Sequence, residues 1–252
     1  MTLIPELITT YEASLLVITS FVASYITAAL GIGGGLLLLS VMVNLVPIAY
    51  LIPVHGLVQI ASNVTRASML RQFIRWPMLA LFGLGSLCGF FVAPYVLVRL
   101  PLAVLEVAVA GFILFMQWGP SLSLSGRRPG ALLLQGGLIT ILSSLVGATG
   151  PLVASLVAHL QAKQALVATM AAMQTVQHSF KTLVFVQLQV DLTPWLGLVA
   201  GMVFSGYLGT RFGLRILLRV SEQRFRFWFR LLVTLLALRM LFVGGWSLVV
   251  SS

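Results

Sequence analysis

The chain has 252 residues, 60% of them hydrophobic and only 8% charged, with a mean hydropathy of +1.08. Soluble domains carry about 25% charged residues, so this composition excludes a soluble globular protein and points to an integral membrane protein with no stretch left for a separate soluble domain. The formal net charge of +10 does not imply nucleic acid: the basic residues gather at the ends of apolar runs, where topology and lipid head groups account for them, and no aromatic stacking platform interleaves with them.

Glu6 and Glu12 precede a first span predicted over about Tyr11 to Leu30. The first basic residue is Arg66, so the basic region of a cleaved signal is missing and this run reads as a retained span. Four glycines within Gly31–Gly35 then break the helix. A short apolar piece, about Leu36 to Val46, follows, and Pro47 and Pro53 bracket a connection. The next helix, about Val54 to Arg71, carries a polar stripe: His55, Gln59, Asn63 and Arg66 fall within an arc of about 80° at 100° per residue. Arg71 and Arg75 point away from that stripe and mark the helix end in the head groups. Spans at about Pro77 to Val98 and Ala103 to Trp118 complete the first half, and the hydrophilic segment Ser121 to Gly130 is the midpoint. Cys88, the one cysteine, lies in a span, so neither a disulfide framework nor a cysteine metal site is available.

The second half repeats the plan. A span over about Ala131 to Leu145 meets a break at Gly147-Ala148-Thr149-Gly150-Pro151, and a short piece runs on to Leu160. A helix over about Lys163 to Gln187 bears Gln174, His178 and Lys181 on one face; the loop after it holds Asp191, and spans follow at about Pro194 to Leu218 and Phe225 to Val243. An offset of 116 pairs Gly31 with Gly147 and Gly85 with Gly201, while an offset of 115 pairs Gln59 with Gln174, Asn63 with His178 and Arg66 with Lys181. The expectation is therefore two repeats, residues 1–120 and 131–252, joined by a cytoplasmic linker at 121–130. Small residues recur every four positions at Gly197, Gly201, Ser205, Gly209 and Gly213, echoed by Gly85, Gly89 and Ala93, a pattern that lets membrane helices approach closely.

Charge asymmetry orients the halves. The loop after the first polar helix holds Arg71 and Arg75, whereas its counterpart at Gln187 to Thr193 has no basic residue; the turn after the following span reverses this, with Arg99 alone against Arg215, Arg219, Arg224 and Arg226. Positive loops prefer the cytoplasm. The halves thus point in opposite directions, and both termini are expected outside.

Burying Arg66 and Lys181 at mid-helix is expensive, and ionisable groups at depth usually face a cavity or a partner. Glu6, Glu12, Asp191 and Glu222 are predicted near the surface or in loops, which leaves Glu106 alone within a span. One acid cannot match two cations, so an exogenous anion is the attractive counter-ion; that both cations merely snorkel stays open. Helices that begin after Gly33, Gly34 and Gly35, and after Thr149 and Gly150, would add unpaired N–H groups and positive dipole ends. His55 and His178 are candidates for a coupling proton, with a neutral hydrogen-bonded role as the alternative. No catalytic triad, carboxylate pair or metal-ligand spacing stands out, so neither an enzyme nor a metal or cofactor is expected.

The combination GIGGGLLLL, PVHGLVQIASNVTR, ATMAAMQTVQHSFKTLVF and SGYLGTRFG resembles the sulfite exporter TauE/SafE family over nearly the whole chain. That resemblance implies a bacterial inner-membrane protein that moves small sulfur-containing anions such as sulfite or organosulfonates, usually outward and driven by the proton gradient. The second break, GATGP, departs from the glycine-rich form of the first. The resulting expectation is an all-α polytopic bundle of two inverted repeats, working by alternating access on an anion, protons and the lipid bilayer, with room for a homodimer. A passive anion channel, or an anion-binding scaffold or sensor, remains the alternative.

Overall fold

The computed structural model describes residues 4–120, 124, 126, 128–216, 234–239 and 241–242. Helix α1 (Thr10–Leu30) opens on a reciprocal cap: the Glu12 N–H donates to the Thr9 hydroxyl at 3.2 Å, and the Thr9 N–H donates to the Glu12 carboxylate at 2.7 Å. This satisfies two N–H groups that helix geometry leaves unpaired. Gly31 ends the helix at φ +88° with its N–H on the Thr27 carbonyl at 2.9 Å, and Gly33 follows at φ +110°, a region that L side chains rarely adopt. The chain then turns back, and α2 (Gly34–Met42) packs along α1 so tightly that a Cβ on Gly34 would stand 1.7 Å from the Ala23 carbonyl oxygen.

Helix α2 begins two residues before the sequence expectation, because Gly34 and Gly35 lie inside it. Their role is close approach, and the turn itself belongs to Gly31 and Gly33. Helix α3 (Ile48–Met69) also starts earlier than expected: Pro47 caps it, and Pro53 sits within it rather than in the connection. A proline there forfeits one backbone bond, which a buried helix inside a bundle tolerates. A 3-10 turn at Arg71–Phe73 leads to α4 (Trp76–Leu97), then α5 (Leu102–Trp118). Beyond the midpoint come α6 (Pro129–Val146), α7 (Gly150–Val157), α8 (Lys163–Gln187) and α9 (Leu196–Leu214). Helix α7 folds back as α2 does: Gly126, just ahead of α6, abuts the Leu156 carbonyl near the far end of α7. Of the last expected span, only 234–239 and 241–242 fall among the described residues, and both pieces are helical.

Packing exchanges partners between the two ends of the chain. Helix α1 lies against α9, α6 against α4, and α3 crosses α8 between them. The small-residue ridges make these contacts: a Cβ on Gly85 would come 1.8 Å from the Leu133 carbonyl oxygen, and one on Gly209 would come 2.2 Å from that of Phe21. Two serines bind across the same seams, Ser20 to the Met202 carbonyl at 2.7 Å and Ser86 to that of Gly136 at 3.4 Å.

Helices α1, α3, α4 and α6 are each long and apolar enough to cross a bilayer. The outward faces are apolar too, with Leu84, Phe91, Leu134 and Phe204 exposed. On α4, exposed Trp76 and Tyr95 stand about 28 Å apart along the axis, close to the thickness of the hydrocarbon layer and at the depths that aromatic belts favour. The chain is a multi-pass membrane protein.

Substituting Gly209 by Val should overpack the α1–α9 seam at a cost of about 1–3 kcal/mol or more, whereas Gly111, whose Cβ would meet nothing within 4 Å, should accept Ala without loss. Thermal unfolding of the two purified variants checks this, and equal midpoints would contradict it.

Candidate functional site

The two long polar helices meet at Gly56. A Cβ there would lie 2.4 Å from the Thr182 hydroxyl and 3.0 Å from Lys181 Cε, so its absence is what lets α8 press onto α3. At this crossing Lys181 Nζ lies 3.3 Å from His55 Nδ1 and donates to the Gly147 carbonyl at 3.0 Å, while His55 Nε2 lies 3.0 Å from the Gly35 carbonyl. The chain Gly35–His55–Lys181–Gly147 thus joins the first hairpin to the break before the second. The His178 ring stands edge-on to His55 with centroids 5.8 Å apart, and its Nδ1 is buried without a partner.

Arg66 sits farther along α3. Its guanidinium donates to the Asn63 side-chain oxygen and reaches the Ser62 hydroxyl at 3.5 Å, and Ser62 in turn contacts Ser24 of α1 at 3.0 Å. Asn63 uses its amide N–H on the Gln59 carbonyl at 2.8 Å. Arg66 and Lys181 are both buried, at 2% and 0% exposure, and every one of these partners is neutral. The acids whose side chains are described lie elsewhere. Glu6 is exposed and Glu12 caps α1. Asp191 is exposed in the α8–α9 connection, where hydrogen bonds from the Thr193 side chain and N–H hold its carboxyl below the usual range. Glu106 lies in α5, but its side chain, like Glu222, lies outside the described residues.

A small cavity lies between the two hairpins, walled by Gly33, Gly35, Gln59, Gly150, Gln174 and His178, with Thr27, Leu36, Ala148, Pro151 and Met170 completing it. The glutamines are placed alike: a Cβ on Gly35 would meet the Gln59 amide nitrogen, and one on Gly150 would meet that of Gln174. The cavity measures about 20 Å3, room for about one water and too little for a four-atom oxyanion.

Of the sequence candidates, Gln59, Gln174, His178, Gly33, Gly35 and Gly150 reach the cavity wall. His55, Asn63, Arg66, Lys181, Gly34 and Thr149 stand behind it, within the network of bonds and close contacts just described. Residues that the sequence reading did not select complete the arrangement. Gln177 donates to the Thr149 hydroxyl while its own side-chain oxygen is buried without a partner. Its position, three residues after Gln174 and four before Lys181, was the available signal. Gly56 was marked only by following His55, and Thr27 lies on a helix read as apolar.

The family model described as sulfite exporter TauE/SafE matches residues 16–240. No curated protein and no solved structure matches the chain.

A buried cation with neutral partners costs the ligand-free fold more than an apolar side chain of similar volume, by about 1–4 kcal/mol in comparable cases. Arg66→Met should therefore raise the thermal midpoint of the ligand-free protein by roughly 2 °C or more. A lowered midpoint would make Arg66 a structural residue.

Proposed function

The chain belongs to the sulfite exporter TauE/SafE family, and on that premise we propose that it is a proton-coupled secondary transporter that exports small sulfur-containing anions by alternating access. Membership itself carries the coarser statement, a membrane protein of sulfite or sulfonate exporter type. The observation that carries the finer one is the pair Arg66 and Lys181, two buried cations whose partners are all neutral. An anion entering between the hairpins supplies the missing charge. In this reading Gln59, Gln174 and His178 donate to its oxygens from the wall, Asn63 positions Arg66, and the first N–H groups of α2 and α7, at Gly34, Gly35 and Gly150, add their dipoles. A sulfonate spreads its charge over three oxygens, which suits several convergent donors.

The coupling proton follows from hydrogen-bond roles. The Gly35 carbonyl only accepts, so His55 presents Nε2–H to it and, when neutral, offers the Nδ1 lone pair to the Lys181 ammonium. A proton added to Nδ1 sets one N–H against another, and the bond between the hairpins is lost. Proton binding at His55 thereby loosens this link.

The remaining parts of the reading concern topology. Residues 1–120 and 131–252 are taken as inverted repeats joined by a cytoplasmic linker at 121–130, in a bacterial inner membrane with both termini periplasmic. The exchanged packing of α1 on α9 and α6 on α4 supports the internal repeat, as do the serine bonds, because Ser20–Met202 and Gly136–Ser86 correspond at an offset of 116; the orientation rests on the charge asymmetry of the loops. The positive φ of both Gly31 and Gly147 supports the same register.

In proteoliposomes, Arg66→Ala and Lys181→Ala should each lower sulfite flux on the order of tenfold or more, the worth of a hydrogen bond to a charged group; unchanged flux in both would remove the assignment. His55→Gln, which can donate and accept but not titrate, should retain flux at uniform pH and lose its acceleration by an imposed pH gradient. An undiminished response to the gradient would place the coupling proton elsewhere.

A further inference from the structure

Helix α9 runs parallel to α1 and buries its small-residue ridge there: Ser205 donates to the Val17 carbonyl at 2.6 Å, and a Cβ on Gly213 would stand 2.4 Å from the Tyr25 carbonyl oxygen. Its other side faces outward, with Phe204, Tyr207, Arg211 and Phe212 exposed, and Arg215 is exposed at its end. Arg211 and Arg215 stand one turn apart, about 6 Å along the axis. Aromatic groups hold both. The Arg211 guanidinium donates to the Tyr207 hydroxyl at 3.2 Å, and that of Arg215 lies 5.3 Å from the centre of the Phe212 ring. The described carboxylates lie at the other end of this helix pair, Glu6 and Glu12 at the start of α1 and Asp191 in the connection that leads into α9. Beyond Arg215 the sequence adds Arg219, Arg224, Arg226 and Arg230 against the single acid Glu222.

Membrane topology asks only for positive charge near a helix end, and this face offers more than that. Guanidinium groups are planar forks that match the oxygens of a phosphate. Exposed Phe204 lies about 10 Å deeper than Arg211 along the axis, at the level of acyl chains. Helix α4 supplies a comparison within the molecule: at the offset of 116, exposed Phe91, Tyr95 and Arg99 take the places of Tyr207, Arg211 and Arg215, so the equivalent face carries one cation instead of two. We propose that the face of α9 at Tyr207, Arg211 and Arg215 binds an anionic phospholipid, whose phosphodiester lies between the two guanidinium groups and whose acyl chains run along Phe204. A zwitterionic head group carries its own ammonium, which offsets the attraction, so the site selects lipids of net negative charge. It is separate from the cavity between the hairpins and independent of which anion the protein moves.

Native mass spectrometry of the full-length protein in neutral detergent, titrated with phosphatidylglycerol or with phosphatidylcholine of the same acyl chains, reads the affinity of the first lipid bound. Each arginine should be worth about fivefold for phosphatidylglycerol. Arg211→Gln combined with Arg215→Gln should therefore weaken it on the order of twentyfold and leave phosphatidylcholine within about twofold. Arg71→Gln combined with Arg75→Gln removes the same charge elsewhere and should change neither. Equal affinity for the two lipids, or an equal loss in both glutamine pairs, would make the attraction one of diffuse net charge and overturn the proposal. Should the α9 glutamine pair fail to fold, Arg211→Lys combined with Arg215→Lys keeps the charge and carries the test. It should still lose about threefold, because an ammonium cannot present a planar fork, and undiminished affinity would overturn the site. Inorganic phosphate that displaced the lipid at equal concentration would make this a site for free anions and also overturn it.

Discussion

Among the described residues, the charges of Arg66 and Lys181 are buried without countercharge, and the rest of the structure depends on that. Arg66 and Lys181 lie within a bundle whose other buried polar atoms are hydroxyls, amides, imidazoles and backbone carbonyls. Each ammonium or guanidinium taken from water carries a penalty of several kcal/mol, and neutral acceptors return only part of it. The bundle therefore contains a standing electrostatic demand in its middle. The hydrogen bonds from Lys181 to Gly147 and from Arg66 to Asn63 hold that demand in place without cancelling it.

The rest of the fold brings α3 and α8 together beside one small space. Gly31 and Gly33 reverse the chain so that α2 starts beside α3. Gly56 thins α3 so that α8 can approach, and the break at Gly147 exposes a carbonyl for Lys181 to hold. Gly31, Gly33 and Gly147 supply positive-φ backbone, and Gly56 supplies missing side-chain volume. The outcome is a small polar cavity built from elements far apart in sequence, with no charged side chain among its described wall residues.

Much of this was legible in the residues. The polar arc from His55 to Arg66 and its echo from Gln174 to Lys181 stand out because an apolar helix has no use for them, and the structure crosses those two faces at His55 and Lys181. The glycine-rich breaks marked an interruption of the helix, since such runs cost helix propensity wherever they fall, but did not say that the chain turns back there. What stayed hidden depended on tertiary contact. Whether Gly34 ends a helix or lies inside one is decided by the Ala23 carbonyl beside it. Pro53 reads as a breaker by local rules, and surrounding helices keep it in α3. Spacing could show that the glutamines share a face with the cations. It could not show that the glutamines reach the cavity while the cations stand behind them, because that depends on the crossing of α3 and α8. Gln177 was passed over for a similar reason, as its bond to Thr149 joins segments 28 residues apart.

The exchanged packing constrains how such a protein can move. Backbone rides on backbone where Gly209 meets Phe21 and where Gly85 meets Leu133, with serine hydroxyls bonded across both seams. Pulling residues 1–120 away from 131–252 as two blocks would have to open both seams at once. The packed units are mixed pairs, α1 with α9 and α4 with α6, each drawing one helix from either end of the chain. Sequence halves and packed pairs are different partitions of the same molecule.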